Sequence, residues 1–395
     1  MTDVLSGNPA ALPCPAAAYH HARQKGVHFS EAMNAYVVSS HEDVLRIVLD
    51  AQTFSSSNAL GAPAPGPEEE MSNYLPYLLT SSEPEHAHRR SIVNRAFTPR
   101  HIAEHEPAIG AICQRLVNSL RHKDEVDFVK DIAVTLPISA IVHVLGLPDE
   151  DLPDLLRWSQ ALVEATVGVE EFDAQRIIPP GRPLAARITQ RLSGARRGVL
   201  RLIDQSGIPP ADAARFVIDL LVAGNFTTTA YLSSAVHVLA RAPELADHLR
   251  AHPADMAGFV EETLRLESPL QGMYRRATRD CEIDGVPIPE DARILLLFGS
   301  ANHDPAKWPA PAIFDSQRTD AANHLTFGHG THSCLGSGLV RLQSRLLLQT
   351  LLANTVRIRP ADQIITYLPN PIFRCPAALR LGVTWAAPNT CSPDP

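Results

Sequence analysis

The sequence predicts a mainly α fold with a smaller β-rich part, an α+β architecture. Two features of the pattern indicate this class. Helical patterns dominate the middle of the chain, whereas short β-like runs lie before and after them. The hydrophobic fraction of 45% and the charged fraction of 20% are typical of a folded globular protein with a large core.

The first elements are short strands followed by a helix. Residues 27–29 and 35–38 have strand character. An amphipathic helix is expected from His41 toward Leu49, followed by a turn before Phe54. This part of the chain therefore has mixed architecture.

The middle of the chain is predicted to be a series of helices between Glu85 and Leu266. Proline is expected to interrupt the series at Pro148, at Pro179-Pro180 and at Pro209-Pro210. Past Pro269, short β-like runs such as 294–298 alternate with proline-rich chain. A last long helix is predicted from about Gly336 to about Ala353.

One segment, 216–240, is almost continuously apolar, so both a membrane span and a buried core helix must be considered. Three threonines and Asp219, Asn225 and His237 would be costly in lipid. The sequence therefore favours a long core helix in a globular protein, with no membrane partner.

Charge and cysteine usage narrow the class of protein further. The chain has 35 Lys and Arg against 43 Asp and Glu, a formal charge of -8 that gives no global attraction for nucleic acid. Six scattered cysteines without a CxxC pair indicate a reducing compartment. Residues 1–26 lack the pattern of a signal peptide or anchor, so we expect a cytoplasmic protein.

The stretch 327–336, FGHGTHSCLG, carries the chemistry. Cys334 stands just ahead of a predicted helix, where unpaired N–H groups and the helix dipole favour the thiolate. The neighbouring glycines permit turns closed to other residues and a close approach to a flat cofactor. A buried structural cysteine, or a zinc site built from His329, His332 and Cys334, would leave those glycines unexplained.

This stretch resembles the haem-binding signature of the cytochrome P-450 superfamily. The residues on the pattern are Phe327, Gly328, Gly330, His332, Cys334 and Gly336. The resemblance implies haem b with Cys334 as the axial iron ligand, held between a proximal cysteine loop and a long distal helix. It extends over most of the chain, so we expect residues 27–395 to form a single haem-thiolate catalytic domain after an N-terminal extension, residues 1–26.

Two further motifs occur in the order that the family has. Glu262 and Arg265 resemble its Glu-x-x-Arg helix, and Arg318 matches the arginine that completes a structural triad. The resemblance implies that this triad braces the proximal side of the haem. Outside this context, a Glu and an Arg three residues apart are more often an ordinary helix-surface pair.

Four basic residues are expected to bind the two haem propionates through charge-assisted hydrogen bonds. His86 and Arg90 are similar to the family's His-x-x-x-Arg helix, Arg275 matches a further basic position, and His332 belongs to the signature. The alternative for each is a solvated surface base.

The predicted distal helix resembles the family's oxygen-activation stretch, with one departure. Gly224 and Thr227 are on the pattern and imply a place for dioxygen and a hydroxyl that assists O–O cleavage. Phe226 stands where the family has an acid, and it cannot relay a proton. Proton delivery is then expected to run through Asn225, Thr228 and water, or to be weak.

The resemblance implies a monooxygenase that hydroxylates a small organic molecule, of the secondary-metabolite class, with O2. The alternatives are an atypical oxidase or peroxygenase of the same family, performing coupling, cyclisation or nitration, and a haem-binding protein without turnover. Electrons are expected from a separate ferredoxin and ferredoxin reductase, and the chain is expected to be a monomer. Four arginines predict a basic docking patch on the proximal face: Arg89, Arg95, Arg341 and Arg345.

Overall fold

The computed structural model describes residues 12–57, 78–166, 174–370 and 372–387. The α-helices, in chain order, are α1 (Ala16–Lys25), α2 (His41–Leu49), α3 (Glu85–Asn94), α4 (Pro99–Glu104), α5 (Glu106–Asn118), α6 (Thr135–Leu145), α7 (Leu152–Thr166), α8 (Ala174–Leu192), α9 (Gly198–Asp204), α10 (Pro210–Arg241), α11 (Pro243–Ala251), α12 (Met256–Leu266), α13 (Phe298–Ala301) and α14 (Ser337–Asn354). The strands are β1 (His28–Ser30), β2 (Ala35–Val38), β3 (Phe54–Ser55), β4 (Glu125–Asp127), β5 (Met273–Ala277), β6 (Cys281–Ile283), β7 (Val286–Ile288), β8 (Arg293–Leu296), β9 (Thr355–Pro360) and β10 (Arg380–Trp385). The α+β fold class predicted from the sequence is confirmed.

Within the described residues, the strands form one five-stranded sheet, one three-stranded sheet and a hairpin. The order in the larger sheet is β1-β2-β8-β5-β3, and β2 pairs with β8 in parallel. The side chains of Ala35, Val37 and Val38 on β2 are all buried, as expected for an interior strand covered on both faces. The two predicted N-terminal strands and helix α2 are confirmed within one residue.

Helix α10 is the central helix of the core. Pro210 opens it at the first helical turn, where the missing N–H costs nothing. Within the described residues it is the one helix long and apolar enough to cross a membrane, but 67% of its most apolar window is buried inside the protein. The Asp219 carboxylate accepts a hydrogen bond from the Leu78 N–H at 2.8 Å, so a polar residue that argued against a lipid span has a buried partner. These contacts agree with the core-helix interpretation.

The predicted break at Pro179-Pro180 is wrong, because α8 continues through both residues. Proline in a helix interior removes a hydrogen bond and costs about 3 kcal/mol. The later half of α8 buries Leu184, Ile188 and Leu192 in the main core. Tertiary packing of this kind regularly overrides local propensity, and the breaks predicted near Pro148 and Pro209 are confirmed.

The last predicted helix is confirmed as α14, which packs against α5 and α12. The predicted strand 294–298 is shorter at its end, since β8 stops at Leu296 and α13 begins at Phe298. The N-terminal extension is described from residue 12 onward, and its first eleven residues lie outside the described part. Within it, Arg23 of α1 donates to the Ser300 carbonyl at 2.8 Å, which joins α1 to the rest of the fold.

Candidate active site around Cys334

The Cys loop, residues 327–336, ends where α14 begins. It is closed by a hydrogen bond of 2.8 Å from the Cys334 N–H to the Phe327 carbonyl. Gly330 has a φ of +69°, and a Cβ there would lie 2.8 Å from the Val48 carbonyl oxygen. Only glycine permits both this backbone conformation and this close approach to α2.

The other two glycines of the loop leave room beside the cysteine. Gly328 has a φ of +61°, which also favours glycine. Gly336 has an ordinary φ of -83°, and nothing lies within 4 Å of the place where its Cβ would be. The space next to Cys334 is therefore open on the side of Gly336.

The Cys334 side chain is accessible although it lies deep in the protein. The side chain has accessible surface. The protein nevertheless surrounds the thiol closely, and this burial is the largest influence on its pKa, which it raises. The sulfur therefore faces a space inside the fold. The N–H groups of Gly336 and Ser337 and the charges of Arg90 and Arg341 act in the opposite direction and favour the thiolate. The helix-terminus effect expected from the sequence is present, but it does not outweigh burial.

A basic cluster of four side chains, His86, Arg90, Arg275 and His332, lies beside the Cys loop. The rings of His86 and His332 are 3.9 Å apart, centroid to centroid. Arg90 donates to the Thr331 carbonyl at 3.1 Å. Burial, together with the charges of the other three members, lowers the pKa of His332 to about 3. The four residues predicted to bind propionates are thus brought together.

Arg275 is a buried cation of this cluster that has no acidic partner among the described residues. It is buried, its guanidinium donates to the neighbouring Tyr274 carbonyl at 2.9 Å, and burial lowers its pKa to about 10. No carboxylate of the described residues contacts it. A buried guanidinium of this kind calls for an anion. The cluster and the accessible Cys334 sulfur together fit an iron porphyrin with two propionates.

The zinc alternative finds no support in the described residues, because no group of three or more His, Cys, Asp or Glu side chains there could hold a metal ion. His329, His332 and Cys334 do not converge on one point. The cysteine that is left as a single protein ligand suits haem iron rather than zinc.

The predicted triad is assembled in the core. Arg265 makes a two-pronged ion pair with Glu262 at 2.8 Å for both contacts, and both side chains are fully buried. Arg318 contacts the same carboxylate at 3.3 Å, and the Asp315 N–H donates to it at 3.0 Å. Arg265 also donates to the Asn302 carbonyl at 2.8 Å. These bonds fix the segment that precedes the Cys loop against α12.

A second proximal contact was missed by sequence reasoning. Arg341 of α14 binds Glu261 through Nε at 2.6 Å and Nη2 at 2.8 Å, and its guanidinium lies 4.7 Å from the centre of the Phe327 ring. Burial opposes ionisation of Glu261, but the hydrogen bonds from Arg341, together with His324 Nε2 at 3.4 Å, lower the pKa of its carboxyl to about 2. The partners are 80 residues apart, so no local pattern could have signalled the pair.

These contacts change the predicted docking patch. The charge of Arg341 is compensated by Glu261, and Arg345 pairs with Glu106 at 2.8 Å. Arg95 is exposed and has no ion-pair partner among the described residues. Two of the four arginines in the predicted patch are therefore not free positive charges.

On the distal side, Thr227 occupies an accessible turn of α10. Its hydroxyl donates to the Ala223 carbonyl one turn back at 3.1 Å, a bond that mid-helix threonines commonly make. Ala223 is exposed although most of α10 is buried, so this turn borders open space. A Cβ on Gly224 would lie 3.8 Å from Ile141, an ordinary contact, so space alone does not require glycine there.

The three remaining distal residues point to separate partners. Phe226 meets Phe373 edge-on, with ring centroids 5.0 Å apart. The Asn225 amide donates to the Ser159 hydroxyl of α7, so it ties two helices together. Thr228 is buried, and its hydroxyl has no hydrogen-bond partner among the described residues. Of the two side chains in the predicted proton route, Asn225 is therefore already hydrogen-bonded to Ser159.

Glu83 is a further residue that sequence reasoning missed. One carboxylate oxygen contacts His86 Nδ1 at 3.1 Å and the other accepts from the Ala87 N–H at 3.1 Å. Its position three residues before His86, at the start of a helix, was the available signal.

Comparison with known proteins agrees with this site. Residues 256–376 match the sequence model of the cytochrome P-450 family. Cytochrome P-450 144 of Mycobacterium tuberculosis is 30% identical over 92% of this chain and 88% of its own. The erythromycin C-12 hydroxylase of Saccharopolyspora erythraea is 32% identical over 85% of this chain and 86% of its own. The structure of cytochrome P-450 CYP109Q5 from Chondromyces apiculatus superposes with a TM-score of 0.86 at 29% identity, covering 96% of this chain and 98% of that one. The chain belongs to the cytochrome P-450 family of haem-thiolate monooxygenases.

Proposed function

We propose that Cys334 binds the iron of haem b and that the protein uses O2 to hydroxylate a small organic substrate. One observation carries the assignment: the Cys334 sulfur is accessible inside the fold, next to the N–H groups that open α14. Haem bound there supplies a centre that accepts electrons and binds and splits dioxygen. Phe327, Gly328 and Gly336 shape the loop that positions the sulfur.

The basic cluster would hold the two propionates, because its members converge beside the Cys loop and Arg275 has no carboxylate partner in the described part of the chain. The triad of Glu262, Arg265 and Arg318 would keep the proximal segment rigid. Residues 27–395 would form one catalytic domain that works as a monomer, with α1 attached to it.

Thr227 would serve the oxygen chemistry on the distal side. Its hydroxyl donates to the Ala223 carbonyl, and a rotation about the Cβ–Oγ1 bond would turn that proton toward the adjacent open space. Gly224, which follows Ala223, belongs to the same helical turn. Asn225, Phe226 and Thr228 would act more indirectly, through the packing and hydration of this turn.

The substrate and partners are proposed from the relatives. The erythromycin C-12 hydroxylase supports a natural-product substrate of similar chemistry. Electrons would come from a separate ferredoxin and its reductase in the cytoplasm, and the exposed Arg95 would contribute to the docking face.

A second candidate is an oxidase or peroxygenase that does not depend on protons from α10. Phe226 favours it, because its ring packs against Phe373 at the position of the family's acid and leaves no carboxyl there. Measuring whether product forms with oxygen and reductant, or with hydrogen peroxide alone, separates the two. A haem-binding protein without turnover would give no product even in a single turnover.

The decisive experiment is the spectrum of the reduced carbon monoxide complex. Cys334→Ser and His329→Ala are compared with the unchanged protein, since His329 belongs to the loop but not to the basic cluster. The thiolate signature must be present in the unchanged protein and in His329→Ala and absent in Cys334→Ser. A histidine-type spectrum, or one that survives Cys334→Ser, contradicts the assignment.

A further inference from the structure

Glu83 stands at the beginning of α3 with both carboxylate oxygens engaged. One oxygen contacts His86 Nδ1 and the other the Ala87 N–H, each at 3.1 Å. Two anchors from the same helix fix the orientation of the carboxylate. The Glu83 side chain is 41% exposed whereas the His86 side chain is 2% exposed, so the pair runs from the surface into the site.

His86 is otherwise surrounded by positive charge. The ring of His332 lies 3.9 Å away, and Arg89 and Arg90 follow on the same helix. Burial, aided by Arg90 and Arg89, lowers the pKa of His86, and Glu83 is the group that acts against them through its hydrogen bond and its charge. Arg275 adds a further positive charge from β5 to the same cluster.

The imidazole ring has one nitrogen on each side. With Nδ1 held by Glu83, Nε2 is turned away from the surface carboxylate. A carboxylate on the outer nitrogen of a histidine fixes the orientation of the ring and stabilises the doubly protonated form, in which the inner nitrogen also carries a hydrogen. The same arrangement here would prepare His86 to donate from Nε2 to an anion in the basic cluster.

We propose that Glu83 is a positioning residue of the haem site, which holds His86 with Nε2 directed at a haem propionate. The proposal rests on the proposed function, in which the basic cluster binds the propionates. It adds a carboxylate–imidazole–carboxylate chain in which Glu83 and a propionate flank one histidine. Glu83 acts only through His86, so removal of His86 must also remove the effect of Glu83.

The test measures how fast haem leaves the ferric holoprotein for an excess of apomyoglobin. Glu83→Gln keeps the size of the side chain and one acceptor oxygen but removes the charge. The matched control is Glu85→Gln, an exposed glutamate two residues further along the same helix. Both are also made in a His86→Asn background, and each protein is first checked by its reduced carbon monoxide spectrum.

We expect Glu83→Gln to release haem about fivefold faster than the unchanged protein, because a charge-assisted hydrogen bond is replaced by a neutral one. Glu85→Gln should behave as the unchanged protein. In the His86→Asn background, Glu83→Gln should add nothing. An unchanged release rate in Glu83→Gln, or an equal increase with and without His86, would overturn the proposal.

Failure of the proposed function gives a different result. The unchanged protein would then lack the thiolate signature in its carbon monoxide spectrum, whatever Glu83 does. If Glu83→Gln does not fold, Glu83→Asp replaces it in the same cycle. It keeps the charge on a shorter side chain that reaches His86 less well, so the proposal requires that any change in release rate it causes disappears in the His86→Asn background.

Discussion

Phe226 of α10 meets Phe373 edge-on, with ring centroids 5.0 Å apart and ring planes at 84°. Phe373 belongs to the late loop, the segment 372–379 that precedes β10. The late loop is itself fixed, since the Arg374 N–H donates to the Pro269 carbonyl at 2.9 Å and Phe373 forms a β-bridge with Leu270. The aromatic pair therefore joins the distal helix to a rigid segment. It stands where the family resemblance leads one to expect an acid.

Restoring the acid should change the fate of oxygen. In Phe226→Glu a carboxyl returns to the turn that carries Thr227, so a smaller share of the consumed electrons should leave as hydrogen peroxide. Phe226→Leu is the matched control and should leave that share unchanged, although both variants lose the aromatic pair, worth about 1 kcal/mol. Peroxide release per electron consumed is the measurement. Equal release from both variants would mean that the absent acid has no role in proton delivery.

Breaking the buried triad should be costly. Glu262→Gln leaves Arg265 as an uncompensated charge with no exposed surface, which should cost about 3–5 kcal/mol of unfolding free energy. The surface pair of Asp43 and Arg46 has the same spacing at 3.1 Å, and Asp43→Asn should cost less than about 1 kcal/mol. Urea unfolding of the two variants makes the comparison. Similar losses would contradict the importance of burial.

Glu261 should make stability depend on acid pH. Burial raises the pKa of its carboxyl, but the hydrogen bonds from Arg341 and the nearby His324 ring overcome this and hold the pKa at about 2, below the ordinary value of 4.5. A group with a depressed folded pKa contributes stability above its unfolded pKa and loses it as the pH falls toward the folded value. The contribution at neutral pH is roughly 3 kcal/mol. The stability difference between the unchanged protein and Glu261→Gln should therefore shrink as the pH falls from 5 toward about 2.

Urea unfolding of the two proteins at a series of pH values measures that difference. Glu106→Gln provides a control, because it removes a more exposed partner of an arginine on the same helix. A gap for Glu261→Gln that stays constant through the acid range would show that its carboxylate does not carry this linkage.

The docking patch can be tested by comparing variants of two arginines, one exposed and without an ion-pair partner among the described residues, the other already paired with a glutamate. Arg95→Ala should slow electron transfer from an acidic ferredoxin at low salt, and the loss should fade as salt screens the charge. Arg345→Ala should have a smaller effect, because Glu106 already offsets its charge. Stopped-flow reduction rates at several salt concentrations give the answer. Equal effects, or no salt dependence, would contradict electrostatic docking through Arg95.

The sequence predicted those parts of the protein that depend on local pattern. Periodicity located α2, α10 and α14, and the Cys334 motif led to the site. It failed at Pro179-Pro180, where packing of the later half of α8 outweighs a local rule. It also missed the pairing of Glu261 with Arg341, because contacts between distant segments depend on the folded chain and leave no spacing to recognise.

The Cys loop should depend on Gly330 for two separate reasons. In Gly330→Ala, the alanine would have to adopt a φ of +69°, which is unfavourable for a residue with a side chain. Its Cβ would also lie 2.8 Å from the Val48 carbonyl oxygen. Gly194 has a similar φ of +73° with open space around it, so Gly194→Ala isolates the backbone cost, about 1 kcal/mol. Gly330→Ala should lose more unfolding free energy than this, and it should also lower the share of haem that shows the thiolate signature with carbon monoxide. Since Gly194 lies outside the loop, its variant should keep that signature intact. Equal stability losses, or equal spectra, would mean that the contact with Val48 does not hold the loop in place.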